Sequence, residues 1–151
     1  MVNALDRAFA DLIVSLQEIV RLVDPALLYR PAAGGSVGEQ VLRSAAAIEQ
    51  TFGGLTANLW DDPFEWTLPE TLSTPLDVLN YLSEVEKSKA LAFASFVSDD
   101  ILLKLIAIPS GDPCTLFELL LKALSRAGDY RGRAVATFKI LSDVSGAGFI
   151  I

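Results

Sequence analysis

The stretch TLFELLLKALSRAGDYRGRAVATFKIL, Thr115 to Leu141, reads as one long amphipathic helix, and the other segments are best understood as partners for it. Thr115 and Glu118 form an N-terminal capping pair, in which the hydroxyl and the carboxylate each satisfy a backbone N–H that has no helical partner. At about 100° per residue, Leu116, Leu120, Ala123, Ala127, Ala134, Phe138 and Leu141 fall on one stripe, the pattern of a helix that faces a core. Arg126 and Tyr130 lie one turn apart on the shoulder of that stripe.

Working outward, three more helices announce themselves. Residues 3–23 carry Leu5, Phe9, Leu12, Leu16, Ile19, Val20 and Val23 on one face, with Asn3 as the expected cap and Asp24-Pro25 as the stop. Ser36 and Glu39 open a second helix that runs to about Leu59, with Val37, Val41, Ala45, Ile48, Phe52, Leu55 and Leu59 as its stripe. The pair Gly53-Gly54 predicts a kink, an early end or the close approach of a neighbouring helix, since each glycine costs about 1 kcal/mol against alanine. Thr74-Pro75-Leu76-Asp77 starts a third helix, with a cap, a proline at the first position and an acid in the first turn. Its expected core positions are Leu76, Leu79, Leu82, Val85, Leu91 and Phe93 or Phe96, and the run Glu84 to Lys89 reads as a solvated face.

The connections carry less signal. Residues 25–35 are a loop with two prolines and a glycine pair. Residues 60–73 hold both tryptophans, Trp60 and Trp66, which are expected over an end or edge of the bundle. The apolar run Ile101–Ile108 is either a short extended segment or a buried turn, and periodicity does not decide. The apolar tail after Ser142 is expected to pack on its own core or on a second subunit. Four helices with separate start signals describe an all-α, single-domain four-helix bundle spanning residues 1–151. The stripes are wider than a coiled-coil seam.

Composition excludes several functions. A net charge of −7 argues against a nucleic-acid binder, which needs a basic face. The chain has no histidine, so the commonest metal ligand and the commonest general base are both missing. The hydrophobic fraction is 52%, yet no run approaches the roughly 18 apolar residues of a membrane span. Asp6 and Asp11 interrupt the place of a signal-peptide core. The single cysteine, Cys114, excludes an internal disulfide, and a reducing cytoplasm is the expected location. Cys114 stands beside a helix N-terminus, where a thiolate is stabilised, but without a histidine partner it reads as inert.

Two stretches resemble the DinB-like (DinB/YfiT) four-helix-bundle superfamily. From Ser98 to Ala134, SDDILLKLIAIPSGDPCTLFELLLKALSRAGDYRGRA is similar to the family's acidic turn, P-x-G loop, Thr-Leu helix start and H-x-x-x-H-R-G-Q motif, with Arg131-Gly132 matching the Arg-Gly. RPAAGGSVGEQVLRSAA, Arg30 to Ala46, resembles the family's Pro-x-x-x-x-Ser-Val-x-Glu opening, with Gly35 where a tryptophan is common. The resemblance implies an up-up-down-down bundle, a homodimer and a pocket that commonly holds a divalent metal through three histidines. The corresponding positions here are Arg43, Arg126 and Tyr130. Guanidinium groups repel a cation, and a phenol is a poor ligand at neutral pH, so the resemblance implies a degenerate site without a metal or other cofactor.

Two readings of that site follow. Arg43, Arg126 and Tyr130 line a pocket for a small anion, since the arginine fork suits carboxylate and phosphate. Alternatively they fill the space of a lost metal, with the arginines paired to acids such as Asp129 or Glu49. Arg43 lies off the apolar stripe of its helix, which favours a solvated position. Glu49, Glu84 and Glu86 are the carboxylates that could serve a metal, but no Glu-x-x-His pattern accompanies them. The function expected is a non-catalytic or small-ligand-binding bundle. The alternative is a thiol-cofactor-dependent transferase or isomerase that holds an acidic substrate with Arg43 and Arg126.

Overall fold

The computed structural model describes residues 1–145, with the exception of Trp66, Ser110 and the side chains of Val144 and Ser145. The expectations for Trp66 and for the apolar tail fall outside the described residues. The chain folds as a four-helix bundle, α1 (Val2–Leu22), α2 (Val37–Ala57), α3 (Pro75–Ala94) and α4 (Leu116–Ser145), with a two-residue antiparallel pair between β1 (Leu105–Ile106) and β2 (Cys114–Thr115). The run 101–108 combines both forms left open by its sequence: a 3₁₀ turn over Asp99–Leu103 leads directly into β1.

The start signals of α2, α3 and α4 operate through their hydroxyls, and among the described residues only that of α3 closes as a reciprocal box. Ser36 Oγ accepts from Glu39 N–H at 3.1 Å, Thr115 Oγ1 accepts from Glu118 N–H at 3.1 Å, and Thr74 and Asp77 close a reciprocal capping box. The first helix departs from expectation. Asn3 is not its cap; the helix begins one residue earlier, and its Val2 N–H donates to Asp99 Oδ1 at 2.9 Å. A carboxylate 97 residues further along the chain thus occupies the positive end of the α1 dipole. The Val2 N–H, followed by the Met1 amine, holds the Asp99 carboxyl below its usual range.

Directions follow from which ends meet. Lys89, late in α3, reaches Asp6, early in α1; Gln40, early in α2, reaches Thr137, late in α4. Tyr29, just before α2, donates to the carbonyl of Leu72, just before α3. Helices α2 and α3 therefore run together, opposite to α1 and α4. This is an up-down-down-up order, and it corrects the up-up-down-down arrangement implied by resemblance. α1 packs on α3 and α4, and α2 packs on the same two helices. Because α2 and α3 are parallel neighbours, the chain must return along about 32 Å of helix between them. Residues 58–74 make that return as a long strap, and this places the site described below.

The core gathers one phenylalanine from each of three helices. Phe9 meets Phe52 edge-on at 5.0 Å between centroids, and Phe93 stands 5.6 Å from Phe52. α4 contributes small residues, Ala123 and Ala127, that let it lie close to α2, where Ser44 Oγ donates to Ala127 O at 2.6 Å. Leu76 and Leu91 of α3 and Leu59 after α2 are not core residues; each is about two-thirds exposed. Lys89 breaks the expected solvated run: it is buried, with Nζ 2.6 Å from Asp6 and 3.3 Å from Glu86. Burial disfavours its charge, but the two carboxylates outweigh that and raise its pKa.

Candidate functional site

Gly53-Gly54 does not kink α2. The helix continues to Ala57, and Asn58 ends it in the left-handed region (φ 57°) that asparagine tolerates. The strap then folds back so closely that a Cβ on Gly54 would collide with the Trp60 ring. The close approach foreseen for the glycines is therefore made by an indole, not by a helix. Trp60 Nε1 donates to Asn58 Oδ1 at 2.8 Å, and its carbonyl accepts from Gln50 Nε2 at 2.9 Å. Asp62 caps a 3₁₀ turn over Pro63–Glu65 through the Phe64 N–H, and Thr67 closes that turn onto Pro63 O.

The three residues expected at the site are placed as follows. Arg43 is exposed on α2, with its guanidinium carbon 4.0 Å above the centroid of the Phe64 ring. Arg126 is half-exposed on α4, with Nη1 at 3.5 Å from Gln50 Oε1 and Nη2 at 3.9 Å from Asp62. Both arginines thus touch the strap, one through its aromatic turn and the other through the acid that caps it. Tyr130 is half-buried beside Arg133, whose guanidinium carbon lies 5.4 Å from the ring centroid. Among the described residues no hydrogen bond, ion pair or ring contact joins Arg43, Arg126 and Tyr130 to one another. The acids expected to pair with the arginines are engaged elsewhere: Asp129 with Arg133 at 2.9 Å, and Glu49 with Ser88 at 3.0 Å. Cys114 is buried in β2.

Between α2, α3 and the strap lies a cavity of about 490 Å³. Four carboxylates border it, Glu49, Asp61, Asp77 and Glu84, together with Tyr81 and apolar surface from Leu59, Pro63 and Leu72. Glu49 is the informative one. Its Oε1 accepts from Ser88 Oγ, while its Oε2 is fully enclosed and has no hydrogen-bond partner among the described residues. Burial pushes the Glu49 carboxyl above its usual range; the Ser88 hydroxyl opposes this, and the Glu84 charge adds to it. The Tyr81 hydroxyl is also enclosed and without a partner of good geometry, its neighbour Thr67 being bonded to Pro63 O. Burial, then the Glu49 charge, raises the Tyr81 pKa.

Leaving a buried acceptor unpaired costs about 1–3 kcal/mol, more when it is charged. Glu49 and Tyr81 border the cavity as residues, while these two atoms carry no accessible surface of their own. Residue type alone flagged Glu49 and Glu84 as carboxylates; Glu84 is exposed, and the partial burial of Glu49 beside the strap has no periodic signal. Among the described residues no three His, Cys, Asp or Glu side chains converge to hold a metal ion. No helix of the described residues is long and apolar enough to cross a membrane. The chain matches no protein-family model, no curated protein and no solved structure with which it was compared.

Proposed function

We propose that this chain is a non-catalytic, small-ligand-binding member of the DinB-like bundles, and that its ligand occupies the cavity between α2, α3 and the strap. The observation that carries the reading is the cavity of about 490 Å³ itself, bordered by Glu49, Asp61, Asp77, Glu84 and Tyr81 together with apolar surface from Leu59, Pro63 and Leu72. That volume lies in the range of small-molecule sites, and a few convergent polar groups on a partly apolar wall are what fixes a ligand's orientation. In this reading Arg43 and Arg126 are clasps that hold the strap over the cavity. An acidic substrate would need those guanidinium groups free, and they face Phe64 and Asp62 instead, so binding is preferred to transferase chemistry. A homodimer in the cytoplasm completes the proposal, and light scattering of the purified protein tests the assembly.

The cavity is tested by plugging it. Asn80 is an exposed residue of α3 on the cavity's rim, so Asn80→Trp fills the opening with little cost to the core. A thermal-shift screen of small polar and charged molecules should find compounds that stabilise the wild type, because a ligand of the folded state raises Tm by mass action. Their effect should vanish in Asn80→Trp. If every stabilising compound acts equally on the plugged variant, the site lies elsewhere.

A further inference from the structure

We infer that the strap is a pH-sensitive cover: it lifts from α2 and α3 while the bundle stays folded, and rising pH favours the lifted form. The inference goes beyond the ligand-binding reading and needs no ligand.

The strap is held less firmly than the helices it crosses. Among its described residues the regular structure is the short turn Pro63–Glu65, and only Pro63 and Thr67 are buried. Its ties to the bundle are scattered: the Trp60 ring against Gly54, Gln50 on the Trp60 carbonyl, Arg43 over Phe64, and Arg126 at 3.9 Å from Asp62. A segment with so few buried contacts opens at less cost than the whole fold.

What lies beneath it opposes closure. Thr67 sits beside the Tyr81 hydroxyl but donates its own hydroxyl to Pro63 O at 3.0 Å, and Tyr81 Oη stays enclosed without a partner. At the strap's root, a Cβ on Gly53 would lie 3.4 Å from the Leu59 carbonyl and 3.7 Å from Glu49 Oε1, so the strap comes down beside Glu49. Glu49 Oε2 is the second enclosed atom without a partner among the described residues. Lifting the strap gives both atoms to water, and their unmet hydrogen bonds therefore favour the lifted form.

The pH dependence comes from the surroundings of Glu49. From α3 it faces Glu84, Tyr81 and the Ser88 hydroxyl; Asp61 of the strap and Asp77 of α3 border the same cavity, and among the described residues no lysine or arginine does. Burial raises the Glu49 pKa, Ser88 opposes this, and the Glu84 charge adds to it. Ionisation is thus harder under the closed strap than in water. Closure is unaffected below the ordinary glutamate range and weakens as pH rises from there through the raised value.

The test reads thiols. Thr67→Cys places a reporter under the strap, and Cys114, buried in β2, reports opening of the bundle itself. Both are labelled with dithiodipyridine between about pH 5 and pH 8, which lies above the ordinary glutamate value. Each rate is divided by that of the same thiol in the denatured chain. Position 67 is expected to react at least about 100-fold faster than Cys114, as local opening precedes global unfolding. Its relative rate should rise at least about three-fold across the range, one unit of pKa being worth about ten-fold. Glu49→Gln should flatten that rise, and Glu118→Gln, an exposed acid of α4, should leave it intact. Equal rates at the two thiols would mean that the strap opens only with the whole fold, and would overturn the inference. So would a rise that survives in Glu49→Gln, or no rise in the parent. If Thr67→Cys does not fold, hydrogen exchange of the Leu59 N–H, bonded to Gly53 O at 3.1 Å across the strap's root, gives the same comparison against the Phe52 amide of α2 in the unaltered chain. No ligand enters the experiment, so the ligand-binding reading stands or falls separately.

Discussion

The arginines beside the strap and two polar groups next to its cavity are held under opposite conditions. Arg43 of α2 and Arg126 of α4 reach water and also find neighbours, a ring in one case and an acid and an amide in the other. On the α3 side, one oxygen of Glu49 and the hydroxyl of Tyr81 are shut away from both water and protein partners. Resemblance directs attention to the arginines, and the energetics of unmet hydrogen bonds direct it to Glu49 and Tyr81. The same strap creates both conditions, because residues 58–74 must travel the length of the bundle between two parallel helices.

The largest effect should come from lifting the strap. Gly54→Leu would drive a side chain into the Trp60 ring, and overpacking of this kind costs about 1–3 kcal/mol. Denaturant unfolding should show the loss, and stabilisation by the compounds found in the thermal-shift screen should disappear with it. Retained binding in a destabilised variant would detach the cavity from the strap.

Glu49→Gln comes next, and its sign is distinctive. The folded state holds the Glu49 proton more tightly than the unfolded chain does, so ionising this group subtracts stability. The cost is absent below the ordinary glutamate range, where both states are protonated. It develops as pH rises from that range through the raised folded value, with Glu84 of α3 increasing it and Ser88 reducing it. Glu49→Gln should therefore melt higher than wild type at pH 7, and the gap should close near pH 4. A lower Tm at pH 7 would show that the carboxylate is satisfied.

The arginines should matter least. Arg43→Ala loses a cation–π contact of about 0.5–1 kcal/mol. Arg126→Ala loses an exposed, long ion pair of about 0–1 kcal/mol, which salt should reduce further. Affinity for the compounds found in the thermal-shift screen should stay within about two-fold of wild type in both, since neither residue borders the cavity. A ten-fold change in either variant would move the functional site back to the α4 flank.

What could be read along the chain, and what could not, separates by range. Ser36, Thr74 and Thr115 cap helices through residues three positions away, so their signals lie within one turn of sequence. The stripe from Leu116 to Phe138 needs only a helical period, and its six leading members are buried. Asp99 capping α1 involves partners 97 residues apart, and no local pattern encodes it. Lys89 sits in a charged run that resembles a solvated face, and only the neighbouring Asp6 of α1 reveals it as an interior ion pair.

The sequence by itself determined four amphipathic helices, the caps of three of them, a core of their apolar stripes and the absence of a histidine metal site, because each depends on residue type and short-range spacing. Helix directions, the strap's course and the enclosure of Glu49 were decided only in three dimensions. Those depend on which surfaces exclude water once the helices have packed, and desolvation is a property of the assembled neighbourhood, not of any residue in it.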